Sequence, residues 1–333
     1  MFGKLSVRNI PDQIFRALES MAEQHDRSTE AEARQAIRAW VEPSLVEETR
    51  NNRRREISER LNRMLRQVNS DRPSKLLPSH IAEAIGEERA EEVEDWFLGE
   101  REPSFAQLSA IAKLLGVDAK WLKHGDARLY PCEYHRLSED PFAAVDWLLT
   151  WTPPSEWADG KLTRLHLVRA EDKAGNLYIV KESDHGHFLT FYTPIHVSEE
   201  IGAGGEAMLA ALFVTLELLY RRYTKLDINV LGHQLHPDDI AQLTSGNTNP
   251  GSLLKEGGRS TWWEDIWDRE MVSKREYWPG WHSLCDRIEG VISERKRLNT
   301  LRTLIRRGVI TKPRESDLDA ETGATGEVSE PTA

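Results

Sequence analysis

Cysteine is nearly absent: Cys132 and Cys285 are the only two in 333 residues. That excludes a disulfide framework and a four-cysteine zinc site, and it fits a reducing compartment. Long apolar runs are missing as well. The longest, Ala207 to Leu219, is shorter than the roughly 20 residues a bilayer-crossing helix needs. No N-terminal apolar run resembles a signal peptide. The chain is therefore expected to act in the cytoplasm, with no membrane partner. Net positive charge is missing too, with 44 Lys and Arg against 55 Asp and Glu and a formal charge of −11. A uniformly basic nucleic-acid coat is excluded, whereas a local basic surface is not. Catalytic patterns are scarce. Gly202 to Gly205 lacks the Lys-Ser/Thr of a phosphate-binding loop. No serine or cysteine sits in a nucleophile elbow, and no carboxylate pair stands out. Neither an enzyme activity nor a cofactor is expected. His185 with His187, His233 with His236, and His282 with Cys285 have spacings a metal could use. None has a full ligand set, so no metal is expected.

The most informative stretch lies at the start. In Lys4-Leu5-Ser6-Val7-Arg8, polar and apolar residues alternate, so a strand here has one cationic face and one apolar face. Asn9-Ile10-Pro11-Asp12 reads as a helix start, and Ile14, Leu18, Met21 and Ala22 follow at helical spacing. After His25-Asp26-Arg27, Ser28 or Thr29 caps a second helix, and Thr29 with Glu32 fits a capping box. Ala33, Ile37, Trp40 and Val41 give that helix an apolar stripe, and Pro43 is expected to end it. One strand and two helices cannot build a core of about 45 residues alone. The strand needs a partner, most simply the same strand of a second copy.

The K-L-S-V-R-N-I-P segment followed by R-S-T-E-A-E resembles the Arc-type ribbon-helix-helix repressors, most closely the short antitoxins of plasmid-stability loci. The resemblance implies a homodimer whose paired strands enter the major groove of double-stranded DNA. Carried over by position, Lys4, Ser6 and Arg8 face base edges. Ser28 and Thr29, at the start of the second helix, hold a phosphate.

From Ser44 to Lys75 the chain turns basic, with Ile57, Leu61, Met64, Leu65 and Val68 at helical spacing. A separate helix of about three turns is expected there, and its arginines, Arg53 and Arg54 among them, suit phosphate contacts. Leu77 to Gly125 is punctuated into short helices by Pro78, Gly86, Gly99, Pro103 and Gly116. I-A-E-A-I-G, W-F-L-G-E-R-E-P-S-F-A-Q-L and A-K-L-L-G-V-D-A-K-W-L resemble the five-helix, Cro-like phage-repressor helix-turn-helix domain. Its recognition position falls on Glu87 to Leu98, which holds six acids and one arginine between Glu87 and Asp95. So acidic a helix is a poor surface for a groove lined by phosphates. The helix is expected to serve packing or protein contact.

Beyond Tyr130 no family resemblance guides the reading. Helices are expected over Pro141–Trp151, Glu206–Tyr223, Trp262–Tyr277 and Trp281–Arg306, with strands Leu162–Ala170, Leu177–Lys181 and Phe188–Ile195. Eight of the eleven tryptophans lie after residue 145, a density expected mainly from core packing. The expected fold is therefore mostly α with small β. Residues 1–45 form a ribbon-helix-helix unit, 52–130 a helix-turn-helix-like unit, 131–311 an α+β domain and 312–333 a disordered acidic tail. The implied function is a dimeric, sequence-specific transcriptional regulator, most simply a repressor, working at the nucleoid. The alternative is an antitoxin-like autoregulator that neutralises a partner toxin through its later domains. Residues 131–311 are left as the place for a protein partner or a small ligand.

Overall fold

The computed structural model describes residues 4–157 and 160–314. The expected tail lies outside them beyond Arg314. Two helices open the chain. The first, α1 (Asp12–Gln24), follows Pro11. The second, α2, begins at Thr29 beneath Ser28, whose Oγ accepts a 3.2 Å hydrogen bond from the Ala31 amide. Ser28 is thus the cap and Thr29 the first helical residue. The Thr29–Glu32 box does not form, because Glu32 turns inward to His25.

The helix does not stop at Pro43. α2 is continuous from Thr29 to Ser70, so the expected linker and separate Ile57 helix are one element with what precedes them. A proline inside a helix removes one donor and costs about 3 kcal/mol. Here the orphaned acceptor is the Ala39 carbonyl, and every residue from Arg34 to Arg53 is exposed. Water can satisfy that carbonyl, while the surrounding Glu, Leu and Arg are good helix formers.

The far end of α2 packs into a helical unit with α3 (Pro78–Ile85), α4 (Ala90–Leu98), α5 (Phe105–Leu115) and α6 (Ala119–His124). Ile57, Leu61, Met64 and Val68 of α2 share one core with Ile81, Val93, Trp96, Leu108, Ile111 and Trp121. α4 starts at Ala90, three residues later than expected, because Glu87 and Glu88 lie in the turn after Gly86 and Arg89 takes the N-cap position.

The remaining chain is built on one six-stranded mixed sheet, larger than the sequence suggested. It begins with β1 (Cys132–Tyr134) and α7 (Pro141–Leu148), then β2 (Leu162–Ala170), β3 (Asn176–Ser183) and β4 (Phe188–His196). α8 (Ala203–Tyr223) leads to β5 (Asn229–Leu235), α9 (Pro237–Ser245), α10 (Pro250–Glu256) and β6 (Gly258–Arg259). The spatial order is β1-β4-β3-β2-β5-β6, with β2 to β4 an antiparallel meander and β5 parallel to β2. The expected helix over Trp262–Tyr277 is two pieces, α11 (Trp262–Asp265) and α12 (Arg269–Lys274), separated where Asp268 caps the second. That over Trp281–Arg306 is likewise two, α13 (Trp281–Glu294) and α14 (Lys296–Arg306), broken at Arg295.

One sheet face carries Leu165, Leu167, Ile179 and Phe191 into the main core with α7, α8, α13 and α14. Trp262, Trp263 and Trp281 are buried completely in it. α8, at 21 residues, is long and apolar enough to cross a bilayer, which the shorter run counted from sequence did not show. Leu209 through Leu219 are nevertheless buried inside the protein. Glu217, on that buried stretch, is held by Arg302 and Arg306, each 3.0 Å away.

The helical unit docks on the sheet through specific polar contacts. His187 Nε2 donates to the Leu114 carbonyl at 3.0 Å, and Asn249 bonds Gln67 through both its backbone amide and its side chain. Gly116, at φ +63°, sits against the His187 ring where a Cβ would collide.

Candidate nucleic-acid interface

Residues 4–10 form neither helix nor strand, and no strand among the described residues pairs with them. Lys4, Ser6 and Arg8 are exposed, and so are the apolar residues between them, Leu5 at 71% and Val7 at 59%. Asn9 turns the segment into α1 with φ +63°, a conformation asparagine tolerates better than most residues. Between residues 12 and 41, Ala22 and Glu32 are the buried residues, while Ile14, Phe15, Met21, Ile37, Trp40 and Val41 are all exposed. Trp40 is 84% exposed. Apolar residues gathered so densely on one unit mark a surface built for a partner.

The α1–α2 turn is held by charge. Glu32 is 4% exposed, with one oxygen 2.9 Å from His25 Nδ1 and the other 3.6 Å from Arg27. Beside this clasp Ser28 is exposed and Thr29 half-buried at the start of α2, with the Ala31 amide taken up by Ser28 Oγ. Glu30, exposed in the same first turn, opposes an anion there.

Arg53 and Arg54 do not join this site. At 1.5 Å per residue, Arg53 lies ~37 Å along α2 from Ser28. Both side chains already have partners: Arg53 Nε donates to Glu102 at 2.5 Å, and Arg54 reaches Asn51 and Glu47. On α4, Glu91 and Glu94 are exposed, and Glu92 pairs with Arg101 at 3.3 Å.

The histidines marked by spacing are engaged elsewhere. His236 accepts from the Asp238 amide at the start of α9, while His233 contacts His166. Among the described residues no group of three or more His, Cys, Asp or Glu is placed to hold a metal ion. Sequence reading missed one cluster, formed by Arg164, His166, Glu182 and His233 on three adjacent strands. Nothing in their spacing along the chain brings them together; only the sheet register does.

An extended arm, a turn and two clasped helices with an unpartnered apolar face are the parts of a ribbon-helix-helix unit. Residues 4–41 match the family model described as antitoxin FitA-like, ribbon-helix-helix. No curated protein and no solved structure matches the chain.

Proposed function

We propose that this protein is a sequence-specific DNA-binding transcriptional repressor acting as a homodimer at the nucleoid, a binding protein rather than an enzyme. Two copies pair residues 4–8 into a β-ribbon whose Lys4, Ser6 and Arg8 enter the major groove. The Ser28–Thr29 helix start takes a flanking phosphate. The observation that carries this reading is the alternation at the arm: cationic and apolar residues take turns along a segment that no strand among the described residues pairs with. Pairing two arms buries Leu5 and Val7 together and leaves the cationic row outward. The helix-turn-helix-like unit and the α/β domain extend that core.

The reading is tested by sedimentation of the full-length protein and by selection from a random DNA library. A dimer at micromolar concentration and an enriched two-fold-symmetric site are expected. A monomer that still selects a specific site overturns it. A second reading, autoregulation combined with neutralisation of a toxin, is favoured by the antitoxin family matched at residues 4–41. It requires a co-purifying protein that blocks cell growth when expressed alone.

A further inference from the structure

The missed cluster forms the floor of a cavity of about 650 Å³ between the helical unit and the sheet. Side chains on a strand alternate between faces, so Arg164 and His166 of β2 point away from Leu165 and Leu167, which enter the main core. Register places Arg164 beside Glu182 of β3, and His166 beside Leu231 of β5. The result is a hydrogen-bonded row. Arg164 donates to one Glu182 oxygen, and the other lies 3.3 Å from His166 Nε2. His166 Nδ1 is 3.0 Å from His233 Nε2.

The carboxylate fixes the direction of that row, because it can only accept. His166 Nε2 therefore carries the hydrogen given to Glu182, leaving Nδ1 to accept from His233 Nε2–H. His233 Nδ1 is then a lone pair, buried and without a hydrogen-bond partner. Burial and the neighbouring His166 and Arg259 push the His233 pKa down to about 3, so the ring stays neutral.

The walls add charge of one sign. Arg72, just past the end of α2, and Arg259, on β6 opposite His233, both line the cavity. Neither is within 4.0 Å of a carboxylate among the described residues. The other charges largely cancel, since Lys255 pairs with Asp71 and Arg164 with Glu182. Asp184 at the rim accepts from the Lys161 amide and is the remaining acid. Two unpaired guanidiniums in a protein of charge −11 make this cavity a local exception. Leu115, Phe188 and Leu254 give it an apolar side.

We propose that this cavity binds a phosphorylated small molecule of nucleotide size, with Arg72 and Arg259 on its phosphate and the Glu182–His166–His233 row at its floor. Planar guanidinium forks suit phosphate oxygens better than any other side chain. The volume lies in the range of roughly 300–1,000 Å³ usual for small-ligand sites. A buried polar row, fully formed except at His233 Nδ1, offers an acceptor to an N–H or O–H of the ligand. Phosphate on a free nucleotide and phosphate in a nucleic-acid strand share this chemistry, and the experiment separates them.

The test is calorimetric titration of the full-length protein at fixed ionic strength. The probes are inorganic phosphate, a panel of nucleoside mono-, di- and triphosphates, the matching nucleosides, and a short single-stranded oligonucleotide. At least one nucleotide is expected to saturate at one per chain, more tightly than inorganic phosphate and with no binding by its nucleoside. R72A and R259A, at side chains outside the core, are each expected to weaken it at least tenfold while thermal unfolding stays unchanged. R8A is expected to bind the nucleotide normally even where DNA binding is lost, so this site and the DNA-reading arm fail separately. Absence of nucleotide binding below millimolar overturns the proposal, as does full affinity in both R72A and R259A. Oligonucleotide binding lost in R259A, with no mononucleotide binding, overturns it in favour of a nucleic-acid site.

Discussion

His25 Nδ1 lies 2.9 Å from Glu32 Oε1, across the turn that joins the first two helices. Because the carboxylate accepts, the histidine must present its hydrogen at Nδ1. Arg27 approaches the second oxygen at 3.6 Å, so a buried acid is matched by two cationic or donating groups of the same loop. Replacing Glu32 with Ala removes the acceptor from two half-exposed groups that water can then satisfy, at a cost of about 0.5–1.5 kcal/mol. Glu32→Ala is expected to accelerate amide exchange in α1 and the first turns of α2, with the helical unit around Leu61 unchanged. Equal protection in both proteins would show that the clasp does not hold the turn.

Lys181 is fully buried and donates to the carbonyls of Trp147, at 2.5 Å, and Thr150, at 2.9 Å. Burial pushes its pKa down to about 7 from 10.5. Between those values the unfolded chain holds a proton that the folded protein has released, so stability rises with pH there. Below about pH 7 both states carry the charge and the dependence vanishes. The slope contributed by this residue is at most about 1.4 kcal/mol per pH unit. Cys132 and Cys285, pushed up by burial to about 11 and 12, act in the opposite sense once unfolded thiols ionise. The thiol contribution is common to wild type and Lys181→Met, so comparing their denaturant unfolding from pH 7 to 8.5 isolates the lysine. The stability difference between wild type and Lys181→Met is expected to shift toward wild type as pH rises, and a difference that stays constant refutes the assignment.

Glu217 anchors the helical layer on the main core. It is 1% exposed and binds Arg302, itself 3% exposed, as well as Arg306. Breaking a buried ion pair by removing one partner costs about 3–5 kcal/mol, because the other charge stays buried. Arg302 keeps Glu289 at 2.6 Å and the Trp267 carbonyl, which places Glu217→Ala toward the lower end. Chemical denaturation of Glu217→Ala measures this, and a loss under 1 kcal/mol would mean the network relaxes around the gap.

Local punctuation made the short helices legible. Gly86, Gly99 and Gly116 all adopt left-handed conformations at helix ends, where sequence reading placed stops. β2, β3 and β4 were legible as strands, the first two because they flank the Lys173-Ala174-Gly175-Asn176 turn. Pro43 misled because its effect depends on solvent access to the Ala39 carbonyl, which no local pattern encodes. β5 and the two-residue β6 were missed because they join the sheet after long crossovers. The Arg164–Glu182–His166–His233 row was missed for the same reason, since its members are neighbours across strands and not along them. The arm at residues 4–8 was the reverse case: its alternation is plain in sequence, while no strand among the described residues pairs with it.

Arg8 and its neighbours Leu5 and Val7 separate reading from assembly. On a strand they point to opposite faces, so their substitutions should fail in different ways. A bidentate Arg–guanine contact carries roughly 1–3 kcal/mol of discrimination. Arg8→Ala is expected to lower specific affinity about tenfold or more, with the sedimentation coefficient unchanged. Leu5→Ala and Val7→Ala are expected to dissociate the dimer first and lose DNA binding as a consequence. Wild-type affinity in Arg8→Ala would remove the arm as the reading element.

The acidic helix is where fold resemblance and electrostatics disagree. A helix-turn-helix reading makes α4 the groove helix and Arg89 a base contact. Arg89 instead sits at the N-cap, and Glu88, Glu91 and Glu94 are exposed around it. Attraction to phosphate supplies nearly all sequence-independent DNA affinity, and each exposed carboxylate works against it. The helix and the turn before it are also spent locally: Glu92 pairs with Arg101, and Glu87 accepts from Gln107 at 2.8 Å. Changing Glu88 and Glu91 to Gln removes two charges from a solvated face without touching the core of Val93, Trp96 and Phe97. The double variant is expected to bind non-specific DNA more tightly, with a steeper salt dependence and an unchanged preferred site. Arg89→Ala is expected to leave operator recognition as it was. A footprint at specific bases that disappears in Arg89→Ala, with the arm intact, would show that α4 reads DNA despite its charge.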